Sequence, residues 1–117
     1  MKQHMFIDAY KVLQKFENKE LPLDISFKFF KLKQMLTDQW NFQLERETLI
    51  FDKYHPKRED NQLVFESSEE QNKFAEELSE LANMDVDTSI EKLEINFGDK
   101  LELSVADIEA LDAFVKF

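Results

Sequence analysis

Between Pro22 and Pro56 the chain contains neither proline nor glycine, and this stretch constrains the fold more than any other feature. Those two residue types are the usual breakers of a helix. The whole chain of 117 residues has only two prolines and one glycine. So few turn-forming residues favour long helices with few connections over a sandwich or a barrel. At 100° per residue, Ile25, Phe29, Leu32, Leu36, Trp40, Ile50 and Tyr54 fall in one stripe about 80° wide, with Leu44 and Phe51 along its margin. The spacing predicts a helix from Asp24 to Tyr54, capped by Asp24 or Ser26 and about 45 Å long. Met35, Phe42 and Leu49, seven apart, form a second apolar stripe roughly 120° round from the first. A helix with two seams needs two neighbours, and shorter helices or a second copy of the chain could supply them.

The other elements are arranged around this rod. Phe6, Ala9, Tyr10, Leu13 and Phe16 predict a helix over residues 3–18, ended by Pro22 and the residues before it. After His55-Pro56, residues 57–62 (KREDNQ) read as a polar connection and Leu63-Val64-Phe65 as a short strand. Ser67, with Glu70 at capping-box spacing, opens a third helix whose inward face is Phe74, Leu78, Leu81 and Ala82. From Asp85 the period changes to two: Val86, Thr88 and Ile90 alternate, then Leu93, Ile95 and Phe97 in the opposite phase. Gly98-Asp99 reads as a two-residue turn towards Leu101 and Leu103, and Ser104 with Asp107 caps a last helix carrying Ile108, Leu111, Phe114 and Val115. The expected fold is a single α+β domain over residues 1–117. A long central helix carries two shorter packed helices, a small antiparallel sheet or hairpin and a C-terminal helix.

ELPLDISFKFFKLKQML (residues 20–36) mixes aromatic residues with Lys28, Lys31 and Lys33. On the wheel Lys33 falls on one side of the main seam and the other two on the opposite side, so no single basic stripe forms. The segment is expected to be core with a solvated rim, and direct nucleic-acid binding is not expected. Net charge is −10, unevenly distributed. Residues 1–58 hold 11 basic against 8 acidic side chains, and the remainder 4 against 17. Self-complementary folding of the two halves accounts for this most simply. A sharper reading makes Glu69, Glu76, Glu77 and Glu80 an acidic face that imitates nucleic acid towards a host enzyme.

There is no cysteine, hence no disulfide and no thiolate nucleophile or ligand. The two histidines, His4 and His55, lack the neighbours of a zinc site. Asp85, Asp87, Glu91 and Glu94 have no glycine-centred loop like that of a calcium hand. No nucleophile elbow, P-loop or dinucleotide fingerprint occurs, and no apolar run would cross a bilayer. No catalytic residue, metal or cofactor is therefore expected. Trp40, among Phe29, Leu36 and Leu44, is expected in the core rather than at an interface.

Four segments in order carry a family resemblance: LP with SFKFFKLKQML, RETLIFDKY, NKFAEELSELANMDVD and LELSVADIEALDAFV. Together they resemble the small phage- and prophage-encoded proteins of the family labelled DUF1617. Val105 departs from the pattern, where that family often has a proline suited to a first helical turn. The resemblance implies a phage origin, an α+β shape and residence in the host bacterial cytoplasm, extending to association with the virion. It implies no catalytic residues. The expected role is non-enzymatic contact with a phage structural protein or host factor, or with a second copy, and no membrane is involved.

Overall fold

The structure, a computed structural model, describes residues 1–87, 90–98 and 101–117. Its elements run α1 (Gln3–Phe16), α2 (Leu23–Tyr54), β1 (Lys57–Glu59), β2 (Gln62–Val64), α3 (Ser68–Ala82), β3 (Leu93–Glu94), α4 (Val105–Leu111) and β4 (Val115–Lys116). The fold is α+β, with the long unbroken helix expected from the sequence. At 1.5 Å per residue its 32 residues span about 48 Å, which accounts for the 51 Å long axis of the molecule.

The start of α2 differs from the expected cap, and its end falls where it was expected, at Tyr54 before His55-Pro56. Pro22 is the N-cap and has no side-chain acceptor, so it serves the first turn through its carbonyl, which accepts from Ser26 N–H at 3.0 Å. Ser26 instead donates its hydroxyl to the Leu21 carbonyl at 3.3 Å. At the other end His55 adopts the left-handed conformation (φ 45°) and Pro56 follows, which stops the helix.

One helix is covered on two sides, and it is α1 rather than α2. Phe6, Ala9, Tyr10, Val12, Leu13 and Phe16 are all buried, as is Gln3. The helix lies antiparallel along the first half of α2, with Phe16 against Phe29 (6.0 Å between rings) and Tyr10 stacked on Trp40 at 4.4 Å. Its other side meets α4 and the residues just after it, where Phe6 and Phe114 make an edge contact at 5.3 Å. Gln3 reaches across to α2, donating to the Gln39 carbonyl at 3.0 Å and to Gln43 Oε1 at 3.3 Å.

Most of the main seam of α2 is where the periodicity places it: Ile25, Phe29, Leu32, Leu36 and Ile50 are buried, and Trp40 is partly buried against the core. Beyond Gln43, α1 has ended and α3 takes over. A second, smaller core forms there from Ile50, Phe74 and Leu81, with Phe51, Tyr54, Leu63 and Phe65 packed on it. Phe74 is its centre, 5.0 Å from Phe65 and 5.1 Å from Phe51. Both serine caps form: Ser67 accepts from Glu70 N–H, and Ser104 with Asp107 makes a full capping box.

The antiparallel pair sits earlier in the chain than expected. Residues 57–64, read largely as a polar connection, form a hairpin with Lys57 opposite Val64 and Glu59 opposite Gln62. Asp60 (φ 49°) and Asn61 (φ 64°) are its two central residues, the left-handed pair that a tight hairpin needs. Among the described residues after α3, the expected alternating strands reduce to Leu93–Glu94, paired parallel to Val115–Lys116, and an isolated bridge between Asp85 and Lys2. The inward face survives: Ile95 and Phe97 are buried, and Val86, Ile90, Leu93, Leu101 and Leu103 pack on the main core. Thr88 and Asp99, assigned to the alternation and the turn, lie outside the described residues; Gly98 beside them has the positive φ (51°) of a turn. Bonds from Gln3 N–H to the Met84 carbonyl and from Val86 N–H to the Met1 carbonyl tie the chain's start to the end of α3.

Candidate interaction surface on the long helix

With α1 and α3 on the same side of α2, the opposite side is exposed among the described residues. On a 100° wheel Phe27 lies about 140° round from Leu32 and about 180° round from Leu36, two seam positions with no exposure. Phe27 is 53% exposed and Phe30 54%, and Leu23 at the helix start stands almost wholly in solvent. These residues correct the expectation that the aromatic side chains of residues 20–36 point into the seam. Phe29 does, while Phe27 and Phe30 point out, with the Lys31 ammonium lying over the Phe27 ring at 5.1 Å. The signal was present in the spacing, since a seam about 80° wide cannot take residues two apart.

The second apolar stripe divides. Met35 is half-buried and packs on the main core, whereas Phe42 (37%) and Leu49 (50%) are exposed. Along this stripe cover gives way to exposure between Met35 and Phe42. The bare face continues along the rod: Phe27, Lys31 and Gln34 precede Asp38, and Phe42, Glu45 and Leu49 follow it, every one exposed. Their spacing is 4, 3, 4, 4, 3, 4, an eleven-residue repeat that keeps a stripe nearly straight along a helix.

The four acids proposed as a face do not act alike. Glu69, Glu76 and Glu80 are exposed on one side of α3, but Lys73 stands among them, 3.2 Å from Glu69. Glu77 turns back to α2 and accepts from Lys53 Nζ at 2.9 Å. That bond, with Tyr54 beside it, holds the Glu77 carboxyl below its ordinary range and raises the Lys53 ammonium. Glu77 is thus a strut between helices. The remaining stripe has a net charge of −2 over about 16 Å, where duplex DNA would present about ten charges.

A cleft of ≈ 250 Å³ opens between the end of α1 and the start of α2, floored by Tyr10, Leu13 and Phe29 and rimmed by Phe30, Glu17 and Lys33. The ion pair between Glu17 and Lys33 crosses the rim and raises the lysine's pKa. Its volume is below the roughly 300–1,000 Å³ usual for small-molecule sites. His4 is exposed near Asp8 (3.4 Å), and His55 serves as the cap of α2. Among the described residues no three His, Asp or Glu side chains gather as a metal-holding group, and no helix is long and apolar enough to cross a membrane. Scans against protein-family models, curated proteins and solved structures found no match.

Proposed function

We propose that this chain is a non-enzymatic protein that works by protein–protein contact through the bare face of α2. We place it as a phage accessory or assembly factor in the bacterial host. The observation that carries the contact reading is the exposure of Phe27, Phe30, Phe42 and Leu49 on a helix whose other side packs against α1 and α3. Exposed aromatic side chains on a rigid element make good anchors, because little conformational freedom is lost on binding. The phage setting rests on the order of the four sequence motifs. Affinity capture from a prophage-bearing bacterium tests the proposal: a partner held by the native chain should be lost with Phe42→Glu and retained with Glu76→Lys.

The exposed Glu69, Glu76 and Glu80 support a second reading, capture of a nucleic-acid-binding enzyme by an acidic stripe. Under it the pattern inverts: Glu76→Lys and moderate salt abolish capture and Phe42→Glu does not. The low charge density of the stripe favours the first reading.

A further inference from the structure

We infer that the bare face of α2 pairs with the same face of a second copy, antiparallel, about a two-fold axis passing through Asp38. This deepens the protein-contact proposal by naming the partner, and it rests on that proposal. Seven exposed residues lie within about 40° of one line on the wheel, and their spacing is symmetric about Asp38. Turning a second helix end for end therefore places Phe27 opposite Leu49, Lys31 opposite Glu45 and Gln34 opposite Phe42.

The charges agree with this register. Residues 24–33 hold three lysines and one aspartate; residues 38–52 hold four acids and one arginine. An antiparallel pair sets the basic half of each helix against the acidic half of the other, whereas a parallel pair sets like against like. Within one copy Lys31 already lies over Phe27, and Glu45 is one helical turn from Leu49. Each cation–ring pair thus meets a carboxylate–aliphatic pair. Asp38 meets its own copy on the axis and opposes the association.

The area sets the strength. From Phe27 to Leu49 the strip is about 33 Å long and one helix wide, about 350 Å² on each copy. The total, about 700 Å², is below the roughly 1,200 Å² of a stable standard interface. The dimer is accordingly weak, with a dissociation constant on the order of 100 μM.

Sedimentation from about 10 μM to about 1 mM tests it, with circular dichroism confirming that each variant is folded. Phe27→Glu and Leu49→Glu should each weaken association about tenfold or more. Lys31→Glu and Glu45→Lys should each weaken it, and the two together should restore it to within about threefold. Asp38→Asn should tighten it. A chain monomeric across the whole range, or a dimer that the charge exchange does not restore, overturns the inference. If that monomer still captures another protein and loses it with Phe42→Glu, the dimer fails while the broader contact reading stands; if neither association is seen, both fail.

Discussion

Replacing Asp107 with alanine tests how the C-terminal helix is held to the rest of the fold. The carboxylate accepts from Lys15 Nζ at 2.7 Å through one oxygen and from Ser104 N–H at 3.2 Å through the other. Its own N–H donates to Ser104 Oγ at 3.1 Å. The side chain is 8% exposed while that of Lys15 is 56% exposed, so the freed ammonium rehydrates easily and the ion pair contributes only about 1 kcal/mol. Losing half of the capping box costs about 1 kcal/mol more. The variant should be about 2 kcal/mol less stable near neutral pH, a drop in Tm of about 8 °C for a chain of this size. Burial alone would raise the pKa of Asp107, but Lys15 and the Ser104 donors outweigh it and hold the carboxyl below its ordinary value of 3.8. A depressed folded-state pKa means that this stability is fully present above the unfolded value and is lost as pH falls through the folded one. Urea unfolding at a series of pH values should show the gap between native and variant proteins closing below about pH 4. A gap under about 0.5 kcal/mol at neutral pH, or one unchanged at about pH 2, would refute the reasoning.

The two sides of α2 should respond oppositely. Leu36→Ala, at a position with no exposure, should cost about 2–5 kcal/mol in urea unfolding at low protein concentration, and Phe42→Glu less than about 0.5 kcal/mol. His55→Gly should raise stability by about 1 kcal/mol, read as a higher Tm, because the left-handed cap penalises any side chain with a Cβ. Gln3 is wholly buried with its Oε1 unpartnered among the described residues. Gln3→Met should therefore stay within about 1 kcal/mol of the native stability, whereas Gln3→Ala, which also leaves a void, should lose about 2 kcal/mol or more in the same assay.

Helical period, with the prolines that end each element, located α1 and α2 to within two residues at each end and the buried face of α3 after its Ser67 cap, because an amphipathic face of three turns or more leaves a repeated mark that no single substitution erases. Both serine caps were legible for a similar reason: the hydroxyl and its target amide are three residues apart, so tertiary contacts are not needed to bring them together. The hairpin at residues 57–64 was half legible: the strand expected at Leu63-Val64-Phe65 overlaps β2, but β1 and the turn were read as a polar connection. Its turn is Asp60-Asn61 rather than a glycine pair, and its strands are three residues each. The partner of Leu93 was equally hidden, since a parallel pairing with Val115 depends on where α4 leaves the chain.

For the candidate surface the division is sharper. Sequence determined that α2 has more apolar positions than one seam can hold, and it singled out Phe42 and Leu49 along with Met35. Only the tertiary structure decided which would stay bare, by stacking α1 and α3 along one side of the rod and turning Phe27 and Phe30 to solvent. Periodicity describes a helix in isolation, whereas exposure depends on which neighbours arrive and how far along its axis they reach.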